Sequence, residues 1–355
     1  MPERVFGPSS SHGVLVNAGS IIKARIRQES GSTQTLKHLR FGVAQLEPQG
    51  TGTVPLPGPG EIIVPDATHV YAGGLDNTVR KIILGSASQV WSFTGHTNNV
   101  LTVAVDFDGF VYSAGWDDTV RKIDPDGNQV WSFTGHTDDV MAVAVDHEGY
   151  VYSGSKDARV RKIDPDGSEV WAITPHGSST IEGVAVDHES NVYSASLDNT
   201  VRKHDPDGNL VWTFTGHPSS VMAVAVDRNG YVYSGGQDTT VRKIDPGGNQ
   251  VWSYTGHGDQ VNKVAVDHEG YVYSASGIGT TGAEDDTVRK IDPDGNQVWV
   301  FTGHTDSVGG VAVDHEGYVY SGSRDNTIRR IDPDGNQDWS FTDQANVMSV
   351  AVGPG

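Results

Sequence analysis

Histidine and aspartate recur along this 355-residue chain at spacings that could support chemistry. His96, His136, His176, His217, His257 and His304 each follow a glycine or, once, a proline. His147, His188, His268 and His315 sit in Asp-His-Glu-Gly or Asp-His-Glu-Ser turns. Imidazoles can ligate metals or act as general bases. The run Asp-Pro-Asp-Gly-Asn, first at Asp124 and then repeated, has the oxygen spacing that opens a calcium loop. One ground weakens all of these readings. A metal centre or acid–base pair needs different residues converging on one point, whereas each candidate here recurs once per repeat, so the copies are carried apart. The distal bidentate Glu of a calcium loop is also missing, since Gln129 and Val130 follow. The histidines therefore read as structural, and the Asp-Pro-Asp-Gly turns as tight hairpins whose glycine takes a positive φ. Cysteine is absent, which excludes disulfides, thiolate metal sites and a cysteine nucleophile. No nucleophile–base pair or carboxylate dyad stands out. The expectation is no catalytic residue, no metal and no cofactor.

The elements that carry these residues follow from the period. Tryptophans fall at positions 91, 131, 171, 212, 252, 299 and 339, in steps of 40, 40, 41, 40, 47 and 40 residues. The long step holds an insertion around Gly277–Glu284. Each unit has four strand signals, as in Val140–Val145, Tyr150–Ser153, Val160–Ile163 and Val170–Thr174, separated by turn-forming residues. No stretch sustains a helical period. Four short strands in about 40 residues form one blade of a β-propeller; stacking blades around an axis buries both faces of each sheet. The expected fold is all-β, a seven-bladed β-propeller over residues 61–355. Seven inner-strand signals start at Val100, Val140, Ile181, Val221, Val261, Val308 and Val347, the last at the C-terminus. Closure is expected to borrow strand 347–352 for the blade of residues 70–95, with Glu61–Val64 as the rival for that slot.

At these residues two resemblances can be named. GH…VAVD…YVYSGSxDxTVRK is similar to the WD-repeat pattern, and IDPDGNQVW resembles the pyrroloquinoline-quinone-type repeat. Together they cover residues 61–355. WD-repeat blades use a buried histidine–aspartate network. The resemblance implies structural pairs of His96 with Asp117, His136 with Asp157, His176 with Asp198, His217 with Asp238, His257 with Asp285 and His304 with Asp325. The third strand departs from the pattern, with Ile123 where the Trp of the Trp-Asp dipeptide would stand, and Asp343 replaces Gly-His in the last corner. The quinone-type resemblance would suggest a dehydrogenase, but such a site needs unique polar residues, and these repeats are nearly uniform.

Departures from the repeat point elsewhere. The residue before the Asp of the second turn varies: Leu75, Trp116, Lys156, Leu197, Gln237 and Arg324, with Ile278 in the insertion. The residues after Gly-His vary too, and in a propeller both turns emerge on one face. These seven positions are the expected partner-binding face, with Trp116, the only Trp outside the repeat, as its anchor.

Charge bounds the partners. Lys+Arg is 25 against 45 Asp+Glu, a net of −20, which disfavours nucleic acid. The chain has 34 Asp but only 10 Lys, a balance that a high-salt environment favours and that an Asp-rich repeated turn also produces. Apolar runs such as Val140–Val145 are far short of the roughly 20 residues that span a bilayer, and no signal peptide is visible in MPERVFGPSSSHG; no membrane insertion is expected. Residues 1–50 read as a small β-rich attachment module and 51–60, TGTVPLPGPG, as a Pro/Gly linker. The expected function is a non-catalytic interaction or display protein with protein partners. Its ring face binds a partner while residues 1–60 join a larger complex or a homo-oligomer. Most concretely this is a decoration or receptor-contact protein on a virion surface, of a tailed virus of halophilic archaea. A cytoplasmic WD-repeat-like scaffold, or a quinone-type propeller acting as assembly factor or enzyme, are the alternatives.

Overall fold

The computed structural model describes residues 69–277 and 285–353. Residues 1–68, which include the expected attachment module, the linker and Glu61–Val64, lie outside this description, as does Ile278. The described residues form twenty-eight strands in seven four-stranded antiparallel sheets, with no helix. Each sheet is a blade. In the second blade the strands run from the axis outward as Val100–Val105, Val111–Gly115, Val120–Ile123 and Gln129–Phe133. Neighbouring innermost strands pack together around the whole ring, so the protein is a seven-bladed β-propeller.

Burial follows the sequence pattern. The second strand of each blade, such as Val111–Gly115, is buried along its length between the two blades that flank it, except for His69 at the start of the first blade's strand. The core clusters bridge blades: Tyr112, Val120 and Phe133 of one blade meet Val140, Val143 and Val151 of the next. Each such side chain contributes roughly 1.5–3 kcal/mol on burial. The outermost strand faces solvent, but its tryptophan turns back. Trp91 Nε1 donates to the Pro125 carbonyl of the next blade's outer turn at 3.0 Å, and the link recurs from Trp131 to Pro165 and from Trp212 to Pro246. Gly127, at φ +92°, lies flat on the Trp91 indole, where a Cβ would fall 3.0 Å from the ring. The Asp-Pro-Asp-Gly turn and the tryptophan are thus two halves of one inter-blade joint.

Closure occurs at the first blade. Val347–Gly353 takes the innermost place and pairs antiparallel with His69–Gly74, from His69 opposite Gly353 to Gly73 opposite Ser349. The seam differs chemically from the other joints. The turn facing Trp339 contains Leu84 instead of Pro-Asp-Gly, and Trp339 Nε1 is buried without a hydrogen-bond partner among the described residues.

Candidate binding face

The histidine corners come first, because they decide what chemistry the repeated residues can do. His96 Nδ1 lies 2.9 Å from Asp117 Oδ2, and its Nε2 lies 2.7 Å from Ser113 Oγ. With Nδ1 donating to the carboxylate, Nε2 accepts from the serine hydroxyl. The same geometry holds His136 to Asp157 and Ser153, His176 to Asp198 and Ser194, and His217 to Asp238 and Ser234. It also holds His257 to Asp285 and Ser274, and His304 to Asp325 and Ser321. Burial pushes these carboxyls up, but the histidine bond and charge overcome it and leave Asp157 and Asp238 at about 2. Both nitrogens of each ring are engaged, so no lone pair is left for a metal or a substrate proton. In the first blade the corner is rebuilt: Ala72 replaces the serine, and Arg80 bridges Asp76 and Asp343, reaching Asp343 at 3.0 Å.

The outer turns are likewise self-sufficient. Asp124 Oδ1 accepts from the backbone N–H of Asp126 at 3.0 Å and of Asn128 at 2.8 Å, and these bonds, with those from the Asn128 side chain, hold its carboxyl low. A second network was not anticipated from sequence. The aspartate opening each Asp-His-Glu-Gly turn accepts from a buried tyrosine two strand positions into the blade, as Tyr152 does to Asp146 at 3.0 Å. Burial and that carboxylate together raise the phenol's pKa well above its ordinary value.

The variable residues share one face. Each donates its backbone N–H to the turn that precedes the innermost strand of the same blade: Trp116 to Asn99 at 2.9 Å, Lys156 to Asp139 at 2.9 Å, and Leu197 to Thr180 at 3.2 Å. Gln237 bonds Ser220 at 2.8 Å, Arg324 bonds Ser307 at 2.9 Å, and Leu75 bonds Asn346 at 3.1 Å. The backbone carries the structure there and the side chain is released. Trp116 and Leu197 are each 40% exposed, and Lys156 is exposed. Lys156 Nζ stands 5.9 Å over the Trp116 ring and pairs with Asp139 at 2.6 Å. Asp138 and Asp139 meet Asp118 on this rim, their oxygens within 4.8 Å of one another.

A cavity of about 240 Å³ opens on the same face. Trp116, Lys156 and Arg324 line it, whereas Leu75, Leu197 and Gln237 stand on the face outside its lining. Gln260 and Ser307, from the variable turns that follow Gly-His, line it as well, and sequence reasoning missed the rest of the wall. It comes from the second residue of the inner strands: Leu101, Met141, Glu182, Met222, Asn262, Gly309 and Met348, joined by Lys263. The signal was present in the variable position of the Val-x-x-Val-Ala-Val runs. Polar asymmetry is thus concentrated here, against the sequence expectation of near-uniform polar positions. Burial raises the pKa of Glu182, with Lys263 and Lys156 pulling it down. Burial lowers that of Lys263, and Glu182 opposes the shift.

Comparison with known families is decisive for kinship. The family model described as outer membrane protein assembly factor BamB, of the pyrroloquinoline-quinone repeat class, matches residues 116–285 and 284–353. The chain belongs to this family. The WD domain, G-beta repeat, matches residues 87–124. No curated protein matches the chain. The two repeat resemblances therefore stand, and nothing in the matches supports a viral origin. Propellers with WD repeats generally mediate protein–protein interaction.

Proposed function

We propose that this ring is a non-catalytic docking protein whose partner lands on the face that carries Trp116. One observation carries the reading: side chains that break the repeat converge on one cavity at the end of the ring axis, beside an exposed tryptophan. Trp and Arg are the residue types that dominate interface energetics, and both stand at this mouth. The six His–Asp–Ser corners support a non-catalytic role, because their hydrogen-bonding capacity is spent within the fold.

On this reading residues 1–60 tie the ring to a larger assembly. A virion surface, with the ring as decoration, is one such assembly. An envelope complex is the other, and the family match, described as an outer membrane protein assembly factor, favours it. The test is site-directed photo-crosslinking of the full chain in extract of its source. A crosslinking residue in place of Leu197 is expected to trap a partner that one in place of Glu148, in the turns of the opposite face, does not. Equal yields from both positions would contradict a single docking face.

A further inference from the structure

The axial cavity carries charge of the wrong sign for its surroundings. The chain is −20 overall, yet Lys156, Lys263 and Arg324 line this space against a single carboxylate, Glu182. Lys156 is already paired with Asp139. Among the described residues, neither the Lys263 ammonium nor the Arg324 guanidinium makes a hydrogen bond or an ion pair within 4 Å; the charge of Glu182 acts on Lys263 only from farther away. The same cavity is also lined by the apolar side chains of Trp116 and three methionines, Met141, Met222 and Met348.

We propose that this cavity binds the C-terminal end of a partner chain, with the terminal carboxylate on Lys263 and Arg324 and the last apolar side chain against Trp116 and the methionines. The proposal deepens the docking reading above and rests on it. Three features support a chain end. The cavity, at about 240 Å³, is smaller than the roughly 300–1,000 Å³ of drug-sized sites, so it admits one end and not a strand that enters and leaves. Charge-assisted bonds to a carboxylate are strong where water is thinned out, and Lys263 is set deep enough for burial to lower its pKa. Methionine thioethers repack around different apolar shapes, which suits a terminal Leu, Met or Phe. Glu182, on the strand Ile181–Val186, repels a carboxylate and keeps it on the Lys263 and Arg324 side.

The experiment is calorimetric titration of the full chain with N-acetylated hexapeptides ending in Leu, Met or Phe, each as free acid and as C-terminal amide. The free acids are expected to bind at least tenfold more tightly than the amides. Lys263→Gln and Arg324→Gln should each cost about tenfold while leaving the melting temperature unchanged, and Glu182→Gln should tighten binding. The advantage of the acid should shrink in high salt. Equal binding of acid and amide, or no binding by any peptide, would overturn the carboxylate site. If crosslinking from Leu197 still traps a partner in that event, the docking face stands without it; if crosslinking fails as well, both readings fall.

Discussion

His204 shows how one residue can carry a condition into the ring. It stands where the other blades place Ile123, Ile163, Ile244, Ile291 and Ile331, at the end of a third strand, and it is buried. Its Nδ1 has no hydrogen-bond partner among the described residues. Burial, then the charges of His176 and Arg202, lowers its pKa from 6.5 to about 4. The unfolded chain therefore binds a proton at higher pH than the native ring does. Stability from this site is complete above about pH 6.5 and is lost as pH falls towards 4, a swing on the order of 3 kcal/mol. Denaturant titrations of His204→Ile should show a protein more stable than wild type at pH 5 and less sensitive to pH between 7 and 4. Parallel pH profiles for the two proteins would show that the imidazole is not desolvated. The exchange of Ile for His is legible in the sequence, as VRKH among VRKI. Its cost is not, because that depends on how deeply the imidazole is buried and on the charge of His176, which lies outside its strand.

At the scale of the element, the outer turn and the tryptophan act together across blades. Gly167 sits at φ +92° on Trp131, where a Cβ would lie 2.9 Å from the indole. Gly167→Ala meets both backbone strain and a clash, and should cost about 1–3 kcal/mol. Gly85 has no atom within 4 Å of its Cβ position, so Gly85→Ala should be nearly neutral; urea midpoints of the two variants check this. The hairpin was readable from Asp-Pro-Asp-Gly, since turn chemistry is local. Its contact with the preceding blade was not, because a repeat of about 40 residues does not say which neighbour a turn touches. The inner strands show the same limit. Val-Met-Ala-Val-Ala-Val reads as a buried strand, yet Met141 looks into the axial cavity while Val140 is fully buried. The alternation is visible in sequence, but which face borders the axis emerges only from the closed ring.

For the whole molecule, repeat count and strand pattern made the seven-bladed ring legible before any coordinates, because each blade reports its own four strands. The face of the variable turns followed from antiparallel order alone. The cavity wall did not, since it combines one residue from each inner strand, and its meaning lies in the differences between them. Closure depends on the last strand. Deleting residues 345–355 removes the innermost strand of the first blade and exposes the edge of His69–Gly74, so the truncated chain should lose its cooperative melting transition; a thermal scan matching the full chain would refute this. The docking face itself is tested most directly by the affinity of the crosslinked partner for Trp116→Ala. Loss of the exposed indole should weaken binding by about 2 kcal/mol or more, roughly thirtyfold, with folding unchanged, while Glu148→Ala and Asp166→Ala on the opposite face leave affinity intact. Unaltered affinity for Trp116→Ala, or equal losses from both faces, would contradict a single binding face at the mouth of the ring.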